Sequence, residues 1–419
     1  MSDGTEVRRS FKYKMGGPKG VVMFALFFTV YTFYITAKCQ TGEWDLLDFR
    51  LQTNDGLVAV DLKIAAYIFL WFLAQCFLYI LPIGGHREPG IILPSGDRLL
   101  YNTNALTALT ANIALLAAAV ALGYDVRRMT SSLVSMYKAS VFLCFTFSVY
   151  LYVRGGTADE RKKNSNGCSG NVAYDWFIGR ELNPRWRSLD IKYVLFRSGI
   201  IGWIILNLCS LVENWTTFER FNSTLLLLNM IQLTYVADYF WFESGVIVSR
   251  DIVHEGLGYN ILIQFVMIPF CFCVQTRYIL TNDTRLPNTA FCCIAIIYTT
   301  GYYIYRRSNS EKNDFRKNPN DPKLWYLQTM PTSSGKRLLI NSWWGMCRHP
   351  NYLGDLIISL SYALCTGFSH VVPYLGTTFL VLLLLDRERQ DNNGCKQKYG
   401  TDWDKYCRIV KYRIIPGIY

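Results

Sequence analysis

The chain has 419 residues, 51% of them hydrophobic and only 18% charged, with 43 Lys and Arg against 31 Asp and Glu for a formal net charge of +12. The apolar residues gather in blocks near twenty residues long, the length that a bilayer core of roughly 30 Å demands of a helix. This pattern excludes a soluble globular enzyme, a disordered chain and a small disulfide scaffold. The 13 cysteines carry no CxxC spacing and read as reduced, buried hydrophobes, and 4 histidines are too few for a multi-histidine metal site.

About ten segments reach spanning length in a window of roughly 19 residues. In chain order they are 20–37, 63–83, 104–123, 134–153, 193–212, 224–248, 259–280, 289–305, 352–367 and 371–385. The first has no small-residue cleavage site and reads as a retained span rather than a signal peptide. The last is short enough for a re-entrant or shielded element. Basic residues set the orientation. The N-terminal arm carries Arg8, Arg9, Lys12, Lys14 and Lys19, and the first loop carries Glu43, Asp45, Asp48, Asp55 and Asp61. Loop 154–192, loop 306–351 and the tail after 386 are again basic. With ten spans these basic regions share one side, the cytosolic one, with Arg127 and Arg128 as an exception. Three glycosylation sequons, at Asn214, Asn222 and Asn282, then fall in lumenal loops. The net charge is a positive-inside bias and calls for no nucleic acid.

Polar residues collect next to the membrane in the last third of the chain. In Asn309-Ser-Glu-Lys-Asn-Asp-Phe-Arg-Lys-Asn-Pro319, Lys312 and Arg316 stand four apart and share a helix face, a spacing that suits a phosphate clamp or a solvated basic loop equally. Asn341 to Asp355 joins Trp343, Trp344, Arg348, His349, Asn351 and Tyr352 ahead of an apolar segment that Pro350 is suited to start. In the tail, Arg387 and Asp391 share a helix face. Within the span 224–248, Asp238 and Glu243 are costly at membrane depth and need a cavity or a partner. A buried carboxyl suits a proton donor, and a structural hydrogen bond between helices is the competing reading. No GxGxxG unit, GxxxxGK[ST] loop or HExxH pair is present.

The run Ser342 to Asp355, with Arg-His-Pro-Asn-Tyr-Leu-Gly-Asp at its centre, resembles the sterol reductase family. So do the ending Lys398-Tyr-Gly, Trp403-Asp-Lys-Tyr-Cys and Tyr412-Arg-Ile-Ile-Pro-Gly-Ile-Tyr419, and the shorter Gly16-Gly-Pro-Lys-Gly, Leu93-Pro-Ser-Gly and Asn183-Pro-Arg. The Asn309–Pro319 run is similar to the delta-14 sterol reductase and lamin B receptor branch more than to the delta-7 reductases. About 19 residues precede the first span, so the resemblance is to members without a long nucleoplasmic region.

The resemblance implies an all-α integral membrane protein of about ten transmembrane helices, its C-terminal half forming a cytosol-facing nucleotide pocket. The divisions are a cytosolic arm 1–19, a six-span bundle 20–258 with loop 154–192, and a four-span NADPH-binding half 259–419. It implies NADPH as cofactor, contacted by Lys312, Arg316, Leu339, Trp344, Asn351, Tyr352, Asp391, Cys395, Lys396, Gln397, Lys398, Tyr399 and Tyr406, with Arg387 a further sensitive position. Gln397 departs from the family, where that position is more often basic. The implied reaction is reduction of the C14–C15 double bond of a sterol that enters from the bilayer, with Tyr235, Asp238 and Glu243 as the candidate acid system. The implied location is the endoplasmic reticulum membrane, continuous with the inner nuclear membrane, with both termini cytosolic and membrane lipids as neighbours. A non-catalytic scaffold of lamin B receptor type and a delta-7 or delta-24(28) reductase are the competing readings.

Overall fold

The computed structural model describes residues 11, 13–45, 59–92, 96 and 98–419. Arg8, Arg9, Lys12, Asp48 and Asp55, and Leu93-Pro-Ser of the short family motif, lie outside the described residues. The chain divides into two compact units. The first comprises Met1–Glu43, Phe49–Phe221 and Gln232–Arg277, and the second comprises Trp44–Asp48, Asn222–Ile231 and Tyr278–Tyr419.

The first unit is built on apolar helices. They are α1 (Gly17–Thr41), α2 (Leu62–Ile80), α3 (Ala105–Ala121), α4 (Leu133–Gly156), the short α5 (Val172–Ile178) and α6 (Ile191–Phe218). Then come α7 (Ser223–Trp241), whose first residues belong to the second unit, α8 (Tyr259–Phe272) and α9 (Val274–Asn282), which ends there. Their ends follow the sequence. Pro18 sits in the first turn of α1, and Gly42 closes that helix in the left-handed region at φ 74°. Asp61 and Asp190 cap α2 and α6 by accepting backbone N–H bonds from Lys63 and Ile64 and from Tyr193. Pro269 has no N–H to donate to the Phe265 carbonyl one turn earlier. There α6 comes closest to α8, where a Cβ on Gly199 would stand 2.2 Å from the Phe265 oxygen.

Among the described residues, five helical stretches are long and apolar enough to cross a membrane: α1, α2, α4, α6 and the Tyr259–Asn282 pair, with α3 shorter. Leu26, Phe27 and Val30 on α1, and Tyr67, Leu70 and Phe77 on α2, stay exposed, as lipid-facing side chains do. The chain is therefore a mostly helical membrane protein.

The second unit centres on α10 (Asn288–Lys317) and α11 (Pro350–Leu364), followed by α12 (Leu375–Tyr399) and α13 (Thr401–Ile409). At 30 residues, α10 is roughly 45 Å long, more than a bilayer core needs. Its polar end carries the Asn309–Lys317 run outward as a continuous stalk.

Several expectations need correction. The fold is mostly helical, and among the described residues three two-stranded antiparallel hairpins accompany the helices: β1 (His86–Ile92) with β2 (Arg98–Thr103), β3 (Arg185–Trp186) with β4 (Leu189–Asp190), and β5 (Thr329–Pro331) with β6 (Arg337–Leu339). The segment 224–248 is helical only to Trp241, so Glu243 lies in the turn beyond it. The segment 259–280 is interrupted at Cys273, four residues past Pro269. The segment 371–385 does not stop at 385; it opens α12, which runs unbroken from Leu375 to Tyr399. Two of the three sequons are closed to glycosylation in the fold. Asn214 is buried inside α6, and buried Asn222 caps α7 by accepting from the N–H groups of Thr224 and Leu225. Asn282 is exposed. The cysteines are free, but Cys168, Cys292 and Cys293 are exposed rather than buried.

The tightest contact of the second unit is between α10 and α11. A Cβ on Gly354 would meet the Tyr305 nitrogen at 2.5 Å and the Gly301 oxygen at 2.8 Å. Gly354→Ala is therefore expected to push the pair apart at a cost of about 1–3 kcal/mol. A thermal melt in detergent checks this: the midpoint falls by several degrees, whereas Gly394→Ala on α12, where a Cβ meets nothing, leaves it in place.

Candidate cofactor and active site

The polar stalk of α10 places Ser308, Glu311, Lys312 and Phe315 along one helical face, the spacing of i, i+3, i+4 and i+7. Trp344, on the one-turn helix Trp343–Met346, closes over that face. Its Nε1–H donates to the Ser308 carbonyl at 3.0 Å, and the Lys312 ammonium sits 3.8 Å from its ring centroid. Phe315, Leu339 and Trp344 form one apolar cluster beneath. Glu311 accepts from the Ser342 hydroxyl at 2.8 Å and the Tyr326 hydroxyl at 3.5 Å, and burial raises its carboxyl above the usual range.

Lys312 is the electrostatic centre. Burial first, and Arg316 second, push its ammonium down to about 7; Asp391 and Cys395 on α12 act against that. His349, just ahead of Pro350, is pushed down to about 3 by burial and by Lys312 and Arg348, so its imidazole is neutral near pH 7. That ring stacks on Tyr352 at 4.6 Å and 8°. The Tyr352 hydroxyl donates to Asp391 Oδ2 at 3.1 Å. The neighbouring Asn351 has a buried Oδ1 with no hydrogen-bond partner.

The tail completes the group. Tyr406 and Trp403 on α13 stack at 4.9 Å, and Cys395 and Tyr399 pack against them. Arg348 donates to Asn392 Oδ1 at 3.2 Å, to Cys407 Sγ at 3.2 Å and to the Lys411 carbonyl at 3.4 Å. The Trp403 indole shares Asn392 Oδ1 at 2.9 Å. Arg387 is half-buried one turn before Asp391. Arg316, Lys396, Gln397 and Lys398 are exposed, and Lys396 pairs with Asp404 at 3.3 Å.

The structure thus brings Lys312, Leu339, Trp344, Tyr352, Asp391, Cys395, Tyr399 and Tyr406 into the packing of one unit, and leaves the basic side chains of Arg316, Lys396 and Lys398 on its surface. Such a set fits a phosphate-bearing dinucleotide. It offers two cations four residues apart, aromatic faces, and an orphaned carboxamide oxygen that a ligand N–H or O–H would satisfy. The supporting roles of Asn392 and Cys407 were not legible in the sequence, because each acts on Arg348 from across a long chain separation.

The candidate acid residues belong to the first unit. Tyr235 and Asp238 lie half-buried on α7, three apart, and the Tyr235 ring stacks on Tyr239 at 6.3 Å. Glu243 is buried beyond the helix end. It accepts from the Tyr193 hydroxyl and from the Ala105 N–H at 2.8 Å, and pairs with Arg197 at 3.7 Å.

The model of the ergosterol biosynthesis ERG4/ERG24 family matches residues 9–419. The chain is 37% identical over 409 residues to the Delta(14)-sterol reductase TM7SF2 of Mus musculus, covering 97% of each. It is 35% identical over 404 residues to the Delta(14)-sterol reductase LBR of Gallus gallus, covering 95% of this chain and 63% of that one. It is 37% identical over 371 residues to the Delta(14)-sterol reductase of Ascobolus immersus, covering 85% of each.

A lysine held at about 7 gives binding a pH signature. A bound phosphate raises that value, so above pH 7 each binding event takes up a proton and affinity falls by up to about tenfold per unit. Below about pH 6 the phosphate itself loses charge. A phosphate-bearing dinucleotide titrated from pH 6 to 9 is expected to bind more weakly as the pH rises above 7, and Lys312→Met to flatten that alkaline limb.

Proposed function

Because the chain belongs to the ergosterol biosynthesis ERG4/ERG24 family, we propose that it is an NADPH-dependent reductase of the C14–C15 double bond of sterol intermediates. The observation that carries this reading is the half-buried Lys312 over Trp344, beside Asp391 and the neutral His349. It supports a nucleotide phosphate site built without a Rossmann unit.

In this reading Lys312 and Arg316 hold phosphate, and Trp344, Leu339, Tyr399 and Tyr406 form apolar walls. Asn351 and Tyr352 with Asp391 orient the polar rim, to which Cys395, Lys396, Gln397 and Lys398 contribute, and Arg387 supports Asp391 from the preceding turn. An isolated alkene lacks the polarity of a carbonyl, so reduction starts with a proton. Its delivery to C15 leaves a tertiary cation at C14. NADPH, when bound, supplies the hydride that completes the reduction. Tyr235, Asp238 and Glu243 are assigned the proton, with Tyr235 the final donor and Glu243, held by Tyr193 and Arg197, the least mobile of the three. The sterol partitions into lipid and enters from the bilayer. The proposed setting is a ten-span topology in the endoplasmic reticulum membrane, with the nucleotide residues and both termini on the cytosolic side.

Purified protein incubated with NADPH and delta-14, delta-7 or delta-24(28) sterols tests the reading by mass spectrometry. A product saturated at C14–C15 is expected, lost by more than tenfold in Arg387→Gln. At least one of Tyr235→Phe, Asp238→Asn and Glu243→Gln should fall by about 10²–10⁴-fold with NADPH binding intact. Binding of NADPH without product from any sterol would overturn the assignment.

A further inference from the structure

Residues 411–419 contribute none of the contacts assigned above to NADPH, yet they are tied into the site at every turn. The backbone N–H of Arg348 donates to the Tyr412 carbonyl at 2.9 Å, and that of His349 to the Arg413 carbonyl at 2.9 Å. The segment then folds back on itself through Gly417, at φ 82°. The Tyr419 backbone oxygen accepts from three successive N–H groups, those of Arg413, Ile414 and Ile415, at 2.7, 3.0 and 3.1 Å. Such a concave row of amides is a nest that holds negative charge. Ile414 is buried beneath it.

The side chains of this strap reach α12. Arg413 donates to Glu388 Oε2 at 3.0 Å, and the Tyr419 hydroxyl approaches the same oxygen at 3.4 Å. The guanidinium also lies 5.3 Å from the Tyr419 ring centroid. Glu388 is fully buried, and its other oxygen, Oε1, has no hydrogen-bond partner, so Arg413 is the cation that balances it. Glu388 follows Arg387 directly and precedes Asp391 by three residues, a helical neighbour. Removing Arg413 would leave a buried carboxylate uncompensated, and that segment of α12 would shift to solvate it.

We propose that the strap 411–419 is a positioning element of the nucleotide site. Through Glu388 it fixes the turn of α12 that presents Arg387 and Asp391, and through two backbone bonds it fixes Arg348 and His349 ahead of α11. This rests on the reading that the site takes NADPH.

Tryptophan-fluorescence titration of the full-length protein with NADPH, run beside a thermal melt, tests the proposal. Arg413→Ala and Glu388→Gln are expected to weaken NADPH by at least tenfold, and Arg413→Lys to recover much of the loss. The double variant Glu388→Gln/Arg413→Gln removes the stranded charge and keeps the fold if the single variants melt; it too should bind weakly. A strap that only holds the fold together would lower the melting midpoint and leave the affinity of the folded protein unchanged, and that result in the double variant overturns the proposal. Wild-type protein that binds no NADPH overturns the reading of the site, and the strap with it.

Discussion

Everything in the second unit depends on how closely α10 and α11 approach one another. Two glycines, Gly301 and Gly354, let backbone meet backbone, with no room for a Cβ on either side. The consequence is register. Fixing Gly354 against Gly301 and Tyr305 fixes Asn351 and Tyr352 one turn away on α11, and Ser308 and Lys312 one to two turns on along α10. A helix pair separated by ordinary side chains would sit about 8–10 Å apart and tolerate sliding. This one does not, so Lys312 and the Arg-His-Pro-Asn-Tyr motif share a rigid base.

On that base the charges gather around Lys312. Lys312 faces an aromatic ring, with Arg316 repelling it and Asp391 partly offsetting the repulsion. His349 stays neutral beside it. Tyr352 spends its hydroxyl on Asp391 and thereby draws that carboxylate toward α11. The result is a local deficit of negative charge inside a partly desolvated site, where electrostatic interactions are stronger than in water. In the proposed reading a phosphate supplies what the deficit lacks, so an anionic cofactor would fit this group better than a neutral ligand.

Much of this was legible in the sequence, for reasons that differ by feature. Apolar blocks of bilayer length announced helices, and most of each block is helical in the structure, because a chain in lipid has little other way to satisfy its backbone. Lys312 and Arg316 could be paired on a face because helical spacing is local. Burial was not legible. Asn214 and Asn222 match a sequon pattern, but the one lies inside α6 and the other spends its side chain on the cap of α7. Nor was the end of α7: the sequence stays apolar past Trp241, and the break appears only with the 3₁₀ turn that starts at Glu243. Partners from distant segments were hidden for the same reason, Tyr193 and Ala105 for Glu243, and Asn392 and Cys407 for Arg348.

One buried glutamate from each half of the chain, Glu243 and Glu388, makes a useful contrast. Glu243 receives a phenol, a backbone amide and a guanidinium, so its carboxylate is held from several directions. Glu388 receives its charge balance from Arg413 alone, on one oxygen, with Oε1 left over. A carboxylate held from several sides tolerates the loss of one partner by leaning on the others. A carboxylate balanced by a single cation transmits any movement of that cation to its own helix. The strap therefore couples to α12 more sharply than its modest size suggests, and the residues it moves are Arg387 and Asp391, not the apolar core of the bundle.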